Sequence, residues 1–105
     1  MIIWITGISA SGKTTLAKYL LKKINKKFNL LHIDGDKFRN LFDNDLKYSK
    51  RDRDQNAKRL CSFVKYLSNQ KVNLLISANL TSAKYRYWCK RNLKKILFIH
   101  LETNQ

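Results

Sequence analysis

An α/β domain, with a parallel sheet covered by helices on both faces in three layers, is the fold that three features of this 105-residue sequence predict. Short, almost wholly apolar runs recur along the chain, as strands buried on both faces require. Longer stretches between them repeat their apolar residues at helical spacing. The first apolar run also turns directly into a glycine-bearing loop and then one of those helices, a strand–loop–helix unit.

Each element can be justified in turn. Ile2 to Thr6 is the first strand, and Gly7-Ile8-Ser9-Ala10-Ser11-Gly12-Lys13-Thr14-Thr15 follows it. Leu16, Leu20, Leu21 and Ile24 then share one side of a helix, with Lys18, Lys22, Lys23 and Lys26 between them. Leu30 to Ile33 reads as a second strand closed by Asp34-Gly35-Asp36. Phe38, Leu41 and Phe42 mark a short helix that Asp43-Asn44-Asp45 ends. Arg51 to Gln70 holds a long helix, since Leu60, Phe63, Val64 and Leu67 fall on one side. Val72 to Ile76 is a third strand, residues 83 to 92 a helix, and Ile96 to Leu101 a fourth strand. No repeat, linker or low-complexity segment breaks the βαβαβαβ alternation, so residues 1–105 form one unit.

Composition narrows the class. At 44% hydrophobic residues the chain is too apolar for a disordered segment. No apolar run approaches the ~20 residues of a membrane span, and the opening MIIWI meets a glycine turn and Lys13 too soon for a signal peptide. A soluble cytoplasmic protein without membrane contact is expected. Cys61 and Cys89 have no partner at metal-ligand spacing and read as ordinary thiols. The net charge of +15 is a field that attracts anionic substrates, in a Lys-, Asn- and Ile-rich chain without proline, rather than the mark of a dedicated nucleic-acid surface.

The chemistry begins at Gly7-x4-Gly12-Lys13-Thr14, a complete GxxxxGK[ST] pattern between an apolar strand and an amphipathic helix. In that context Gly7, Ser9, Ala10, Ser11, Gly12, Lys13, Thr14 and Thr15 form an ATP site of P-loop NTPase type. Backbone N–H groups wrap the phosphates and the helix amino end adds its dipole. Lys13 reaches the β- and γ-phosphates, and the Thr14 hydroxyl is the metal ligand that completes the Mg²⁺ shell. The bland reading is a flexible glycine turn.

Asp34 and Asp36 stand at the carboxyl end of the second strand, on the same sheet edge as the loop. Two carboxylates there hold hydrated Mg²⁺ or accept a proton from an attacking hydroxyl; alternatively one simply caps the next helix. Asp36 is preferred for the acceptor side because Arg39 lies one helical turn beyond it. Arg53 and Asn56, three residues apart, face one way from a helix start and offer a guanidinium fork and an amide, or belong to a solvated charged helix end.

Taken together, ITGISASGKTTLA (residues 5 to 17), HIDGDKFR (32 to 39) and YSKRDRDQNAKR (48 to 59) resemble the amino-terminal part of the adenylylsulfate kinase family, in order and at family spacing. The resemblance implies a sulfate-assimilation kinase that uses MgATP to phosphorylate the 3'-hydroxyl of adenosine 5'-phosphosulfate. It implies Lys13 and Asp36 as catalytic, with Asp36 as base or orienter for the acceptor hydroxyl, and Asp34 as a polar element behind the phosphate site. Arg39, Arg53 and Asn56 match positions that contact the acceptor nucleotide, and a homodimer is in keeping with the family. General nucleoside kinases do not explain DGDKFR together with SKRDRDQN, and GTPases would need an NKxD-like sequence that is absent.

Two departures stand out. An ISPYR-like segment usually follows the third strand in this family, whereas Ser77-Ala78-Asn79-Leu80-Thr81-Ser82-Ala83-Lys84 stands here. Residues Ser82 through Trp88 to Asn92 look more like relatives acting on other nucleotide esters such as cytidine diphosphoramidate, although Trp88 also suits helix packing. Family members are also longer. The chain reads as truncated after the fourth strand, without the lid that excludes water, so a weakly active homologue and a non-catalytic nucleotide-binding fragment stay open.

Overall fold

The computed structural model describes residues 1–7 and 12–101. Its elements are β1 (Ile2–Thr6), α1 (Lys13–Phe28), β2 (Leu31–Asp34), α2 (Gly35–Asn40), α3 (Lys50–Asn69), β3 (Leu74–Ser77), α4 (Ala83–Asn92) and β4 (Ile96–His100). The strands form one parallel sheet in the order β2-β3-β1-β4. The α/β architecture expected from the sequence is the one observed.

The layering follows from the direction in which the chain steps. Crossovers between parallel strands are right-handed, so the step direction decides which face a connecting helix covers. The chain moves one way from β1 to β2, then back from β2 to β3 and on to β4. Accordingly β1 sends Ile3 and Ile5 into a cluster with Ala17, Leu30 and Leu75 beneath α1. It sends Ile2 and Trp4 to the opposite face, against Phe38 of α2, Leu60 and Val64 of α3 and Cys89 of α4. Flanked by β3 and β4, β1 is buried along its whole length.

Element boundaries shift from the sequence reading where side chains capture backbone groups. Asn29 takes a left-handed φ of 50° and the Leu30 N–H donates to Asn25 Oδ1 at 2.6 Å, so β2 starts at Leu31. Lys71 is left-handed and Asn73 Nδ2 donates to the Phe28 carbonyl at 2.6 Å, which holds back the start of β3 to Leu74. Asp34-Gly35-Asp36 is not a closing turn: β2 ends at Asp34 and α2 begins at Gly35. Leu41 and Phe42 fall in a turn beyond α2, followed by left-handed Asp43 and Asn44. The α3 start is capped by Ser49, whose hydroxyl accepts from the Asp52 N–H at 3.1 Å. Phe63 remains 39% exposed because it stacks on the Phe38 ring, 5.6 Å between centroids, rather than entering the core.

The carboxyl ends of three strands are locked together. A Cβ on Gly35 would lie 2.6 Å from Ala78 Cβ and 3.1 Å from its Cα, so only glycine permits this approach. Ala78 is in turn held by Trp4, fully buried on β1, whose Nε1 donates to the Ala78 carbonyl at 3.0 Å. Gly35→Ala should therefore lower unfolding stability by about 1–3 kcal/mol through overpacking. Trp4→Phe should cost about 1–3 kcal/mol by leaving a buried carbonyl unpaired. Urea midpoints equal to wild type would show that this corner is slack.

Candidate active site

Parallel sheets bind ligands beyond the carboxyl ends of strands whose connections leave in opposite directions. β1 and β3 are such a pair here. The residues after them border a cleft of about 890 Å³, together with the β2–α2 corner and the opening turns of α3. That volume suits a nucleotide-sized ligand.

One end of the cleft is the amino terminus of α1. Gly12 caps it with φ 93°, a conformation that disfavours other residues, and no side chain caps the helix. The first turn carries no acid, so its N–H groups and dipole favour an anion. Lys13, Thr14 and Thr15 line the cleft, and Lys13 Nζ donates to the Gly7 carbonyl at 2.6 Å. The expected phosphate-contacting residues Ser9, Ala10 and Ser11 lie outside the described residues.

The β2–α2 corner supplies the carboxylates. Asp34 Oδ1 accepts from the N–H groups of Asp36 and Lys37 at 3.0 and 3.1 Å, so the helix-capping alternative holds for this oxygen. Asp34 also lines the cleft. Asp36, 82% exposed in its side chain, pairs at 2.5 Å with the guanidinium of Arg39, which is only 10% exposed. Tyr48 backs Arg39: the guanidinium lies 4.1 Å from its ring centroid and donates to its hydroxyl at 3.2 Å.

The helix start supplies the opposite wall. Arg53 and Asn56 both line the cleft, and the Asn56 Oδ1 is buried without a hydrogen-bond partner among the described residues. Such an acceptor calls for a donor from a ligand or water. The cleft thus brings together Lys13, Thr14, Thr15, Asp34, Asp36, Arg39, Arg53 and Asn56. Gly7 stays behind, buried at the end of β1.

Sequence reasoning quoted Tyr48, Ser77 and Asn79 within larger segments but did not assign them to the site, although they line the same cleft. Their only signal was position, within a charged cluster or just after a strand. Thr6 fastens the segment after β3, its hydroxyl accepting from the Leu80 N–H at 2.8 Å and donating to Asn79 Oδ1 at 3.5 Å. Trp88 takes the packing role: it is half-buried against the core, with Lys65 Nζ 5.8 Å from its ring centroid.

Ser77 Oγ is 2.7 Å from His32 Nε2. Burial pulls the imidazole pKa below the ordinary 6.5, with Asp34 opposing and Lys37 assisting. The unfolded chain consequently binds this proton more readily than the folded one, and the stability present above about pH 6.5 is lost as pH falls through the folded value. Urea midpoints should be lower near pH 5.5 than near pH 7.5, by a margin that shrinks in His32→Gln. An equal margin in the variant would assign the effect elsewhere.

Comparison with known proteins bears on all of this. The Campylobacter jejuni protein named cytidine diphosphoramidate kinase is 29% identical over 104 residues, 98% of this chain and 61% of its own length. Adenylyl-sulfate kinase 3 of Arabidopsis thaliana is 34% identical over 106 residues, covering 98% of this chain and 50% of its own. The Mycobacterium tuberculosis APS kinase solved with AMPPNP and APS superimposes with a TM-score of 0.82 at 26% identity, over 98% of this chain and 62% of that one. The chain thus spans about half to three-fifths of the length of these proteins. No helix among the described residues is long and apolar enough to cross a membrane. A family profile described as adenylylsulphate kinase matches residues 1–104, and with the parallel sheet and cleft above it places the chain in the adenylylsulphate kinase family.

Proposed function

We propose that the chain is an ATP-dependent nucleotide kinase that phosphorylates the 3'-hydroxyl of adenosine 5'-phosphosulfate, giving 3'-phosphoadenosine 5'-phosphosulfate and ADP. One observation carries this reading. A single cleft joins a GxxxxGK[ST] helix end, the Asp36–Arg39 pair and the Arg53/Asn56 face of α3. A donor anion and an acceptor nucleotide then meet beside one carboxylate.

In this reading the loop from Gly7 through Ser9, Ala10 and Ser11 to Gly12, with Thr14 and Thr15, surrounds the β- and γ-phosphates, and Lys13 neutralises them. The 3'-oxygen attacks the γ-phosphorus as the bond to the β–γ bridging oxygen breaks. The hydroxyl proton passes to Asp36. Arg39 holds Oδ1 of that carboxylate, which fixes its orientation, and Asp34 holds the turn from which it projects. Arg53 offers its fork to the acceptor's 5' anionic group. The buried Asn56 Oδ1 receives an N–H from an amino-bearing nucleobase.

The donor set also fits Mg²⁺. Thr14 and the two aspartates are hard oxygen donors on one cleft, and no cluster of three His, Cys, Asp or Glu forms a cage among the described residues. A cation held by one or two protein oxygens, phosphates and water is the mode expected of Mg²⁺. When bound, it would neutralise charge developing on the phosphates.

A second acceptor, cytidine diphosphoramidate, is favoured by the polar segment Ser77 to Lys84 in place of an ISPYR-like one, and by the Campylobacter relative. Cytosine also carries the amino group that Asn56 requires.

The test is product formation with MgATP and each acceptor separately. Transfer to one of them should fall at least about 100-fold in Lys13→Ala and in Asp36→Asn. Arg53→Ala should raise the acceptor KM more than it lowers kcat. Nucleotide binding without transfer to either acceptor would overturn the kinase reading.

A further inference from the structure

Cys61 and Cys89 take no part in the cleft or in the proposed reaction, yet the fold brings them together. Cys61 lies on the core side of α3 and Cys89 on that of α4, both buried as free thiols. Their sulfurs are 3.5 Å apart although 28 positions separate them in sequence. Both belong to the apolar cluster containing Trp4 and Leu60. This pairing is not legible from metal-ligand spacing, because it depends on how α3 packs against α4.

We propose that Cys61 and Cys89 are a modification site, closed to an intramolecular disulfide by a hydroperoxide, which ties α3 to α4 behind the wall of the cleft. The sulfurs are already in contact at 3.5 Å, and closure brings them to the ~2.05 Å of the bond. Either S–H can donate to the other sulfur across this contact, and a hydrogen bond of that kind favours the thiolate of whichever thiol accepts it.

The chemistry balances with one peroxide. The thiolate of one cysteine attacks a peroxide oxygen, the O–O bond breaks and hydroxide leaves, giving a sulfenic acid. The sulfur of the other then attacks the sulfenic sulfur, the S–O bond breaks, and the oxygen departs as water. The two thiols lose two protons and two electrons, and hydrogen peroxide becomes two waters. Leu60, next to Cys61, lines the cleft, and so does Ser82, immediately before α4. The new bond therefore fixes two parts of the same wall relative to each other.

The experiment treats the reduced, folded chain with hydrogen peroxide, quenches with iodoacetamide and records intact mass. The expected product is about 2 Da lighter, takes up no iodoacetamide, returns to the dithiol with dithiothreitol, and melts at least about 5 °C higher. Three results would overturn the proposal. One is retention of both alkylatable thiols over a time that closes the bond in the urea-unfolded chain. Another is a gain of about 16 or 32 Da, or a disulfide-linked dimer, as the main product. The third is a disulfide whose melting midpoint is unchanged or lowered, which would mark closure outside the native packing. Cys61→Ser should leave Cys89 unable to form the bond; the wild-type mass measurement decides the case even where that variant does not fold.

Discussion

The contact between Gly35 and Ala78 is the constraint on which the cleft depends. Adjacent parallel strands are free to diverge where their ladder ends, and here they do not, because a hydrogen at Gly35 lets the β2–α2 corner rest directly on the backbone of Ala78. Trp4 reaches the same residue from β1, and Thr6 holds the next turn through Leu80. Three strand ends are thereby fixed by contacts made immediately beyond the sheet. With the corner so tight, α2 starts without a loop. Asp34 becomes its cap, Asp36 falls on its first turn, and Arg39 comes one turn later.

Arg39 carries that order into the next helix. A buried guanidinium must keep partners for its donors and its charge, and here they are the Asp36 carboxylate and Tyr48. Tyr48 stands just before Ser49, the cap of α3. At the near end of the same connection, Arg59 lies over Phe42 at 4.4 Å and holds Asp45 with two hydrogen bonds of 3.0 and 2.6 Å. Arginine–aromatic contacts therefore anchor both ends of the segment between α2 and α3. This is why a connection with left-handed Asp43 and Asn44 still delivers Arg53 and Asn56 to a defined wall.

Much of this was legible in the sequence, and the rest failed for identifiable reasons. The parallel sheet and the α4 limits followed from apolar periodicity, and the placing of Lys13 and Asp36 on one sheet edge from motif spacing, whereas a shared site with Arg53 and Asn56 was implied only by the family resemblance. The relation between Asp36 and Arg39 was visible because one helical turn separates them. Strand starts were misplaced because periodicity does not register Asn25, whose amide captures the Leu30 N–H at the end of α1, or Asn73, whose amide reaches across the fold to the Phe28 carbonyl. Tyr48, Ser77 and Asn79 lay within quoted segments but were given no place in the site, because only tertiary packing turns them toward the cleft. The Cys61–Cys89 contact is of the same kind, created by two helices that are distant in sequence.

The charge distribution refines the meaning of +15. The chain has seven acidic residues against 22 Lys and Arg, and among the described residues four aspartates have specific local duties. Asp34 caps α2, Asp36 pairs with Arg39, Asp45 with Arg59, and Asp52 accepts from the Lys47 N–H. None lies on α1, whose amino end faces the cleft. The carboxylates bordering the cleft gather instead at the β2–α2 corner and the start of α3. Under the proposed reaction that division has a direct physical use. Two anionic nucleotides must enter one cleft, and their repulsion is offset by a broadly cationic surface. A proton must nevertheless leave the acceptor hydroxyl, and a strongly cationic wall alone offers it no base. A carboxylate held beside a buried guanidinium meets both requirements, because Arg39 fixes one oxygen of Asp36 and leaves the other for the proton.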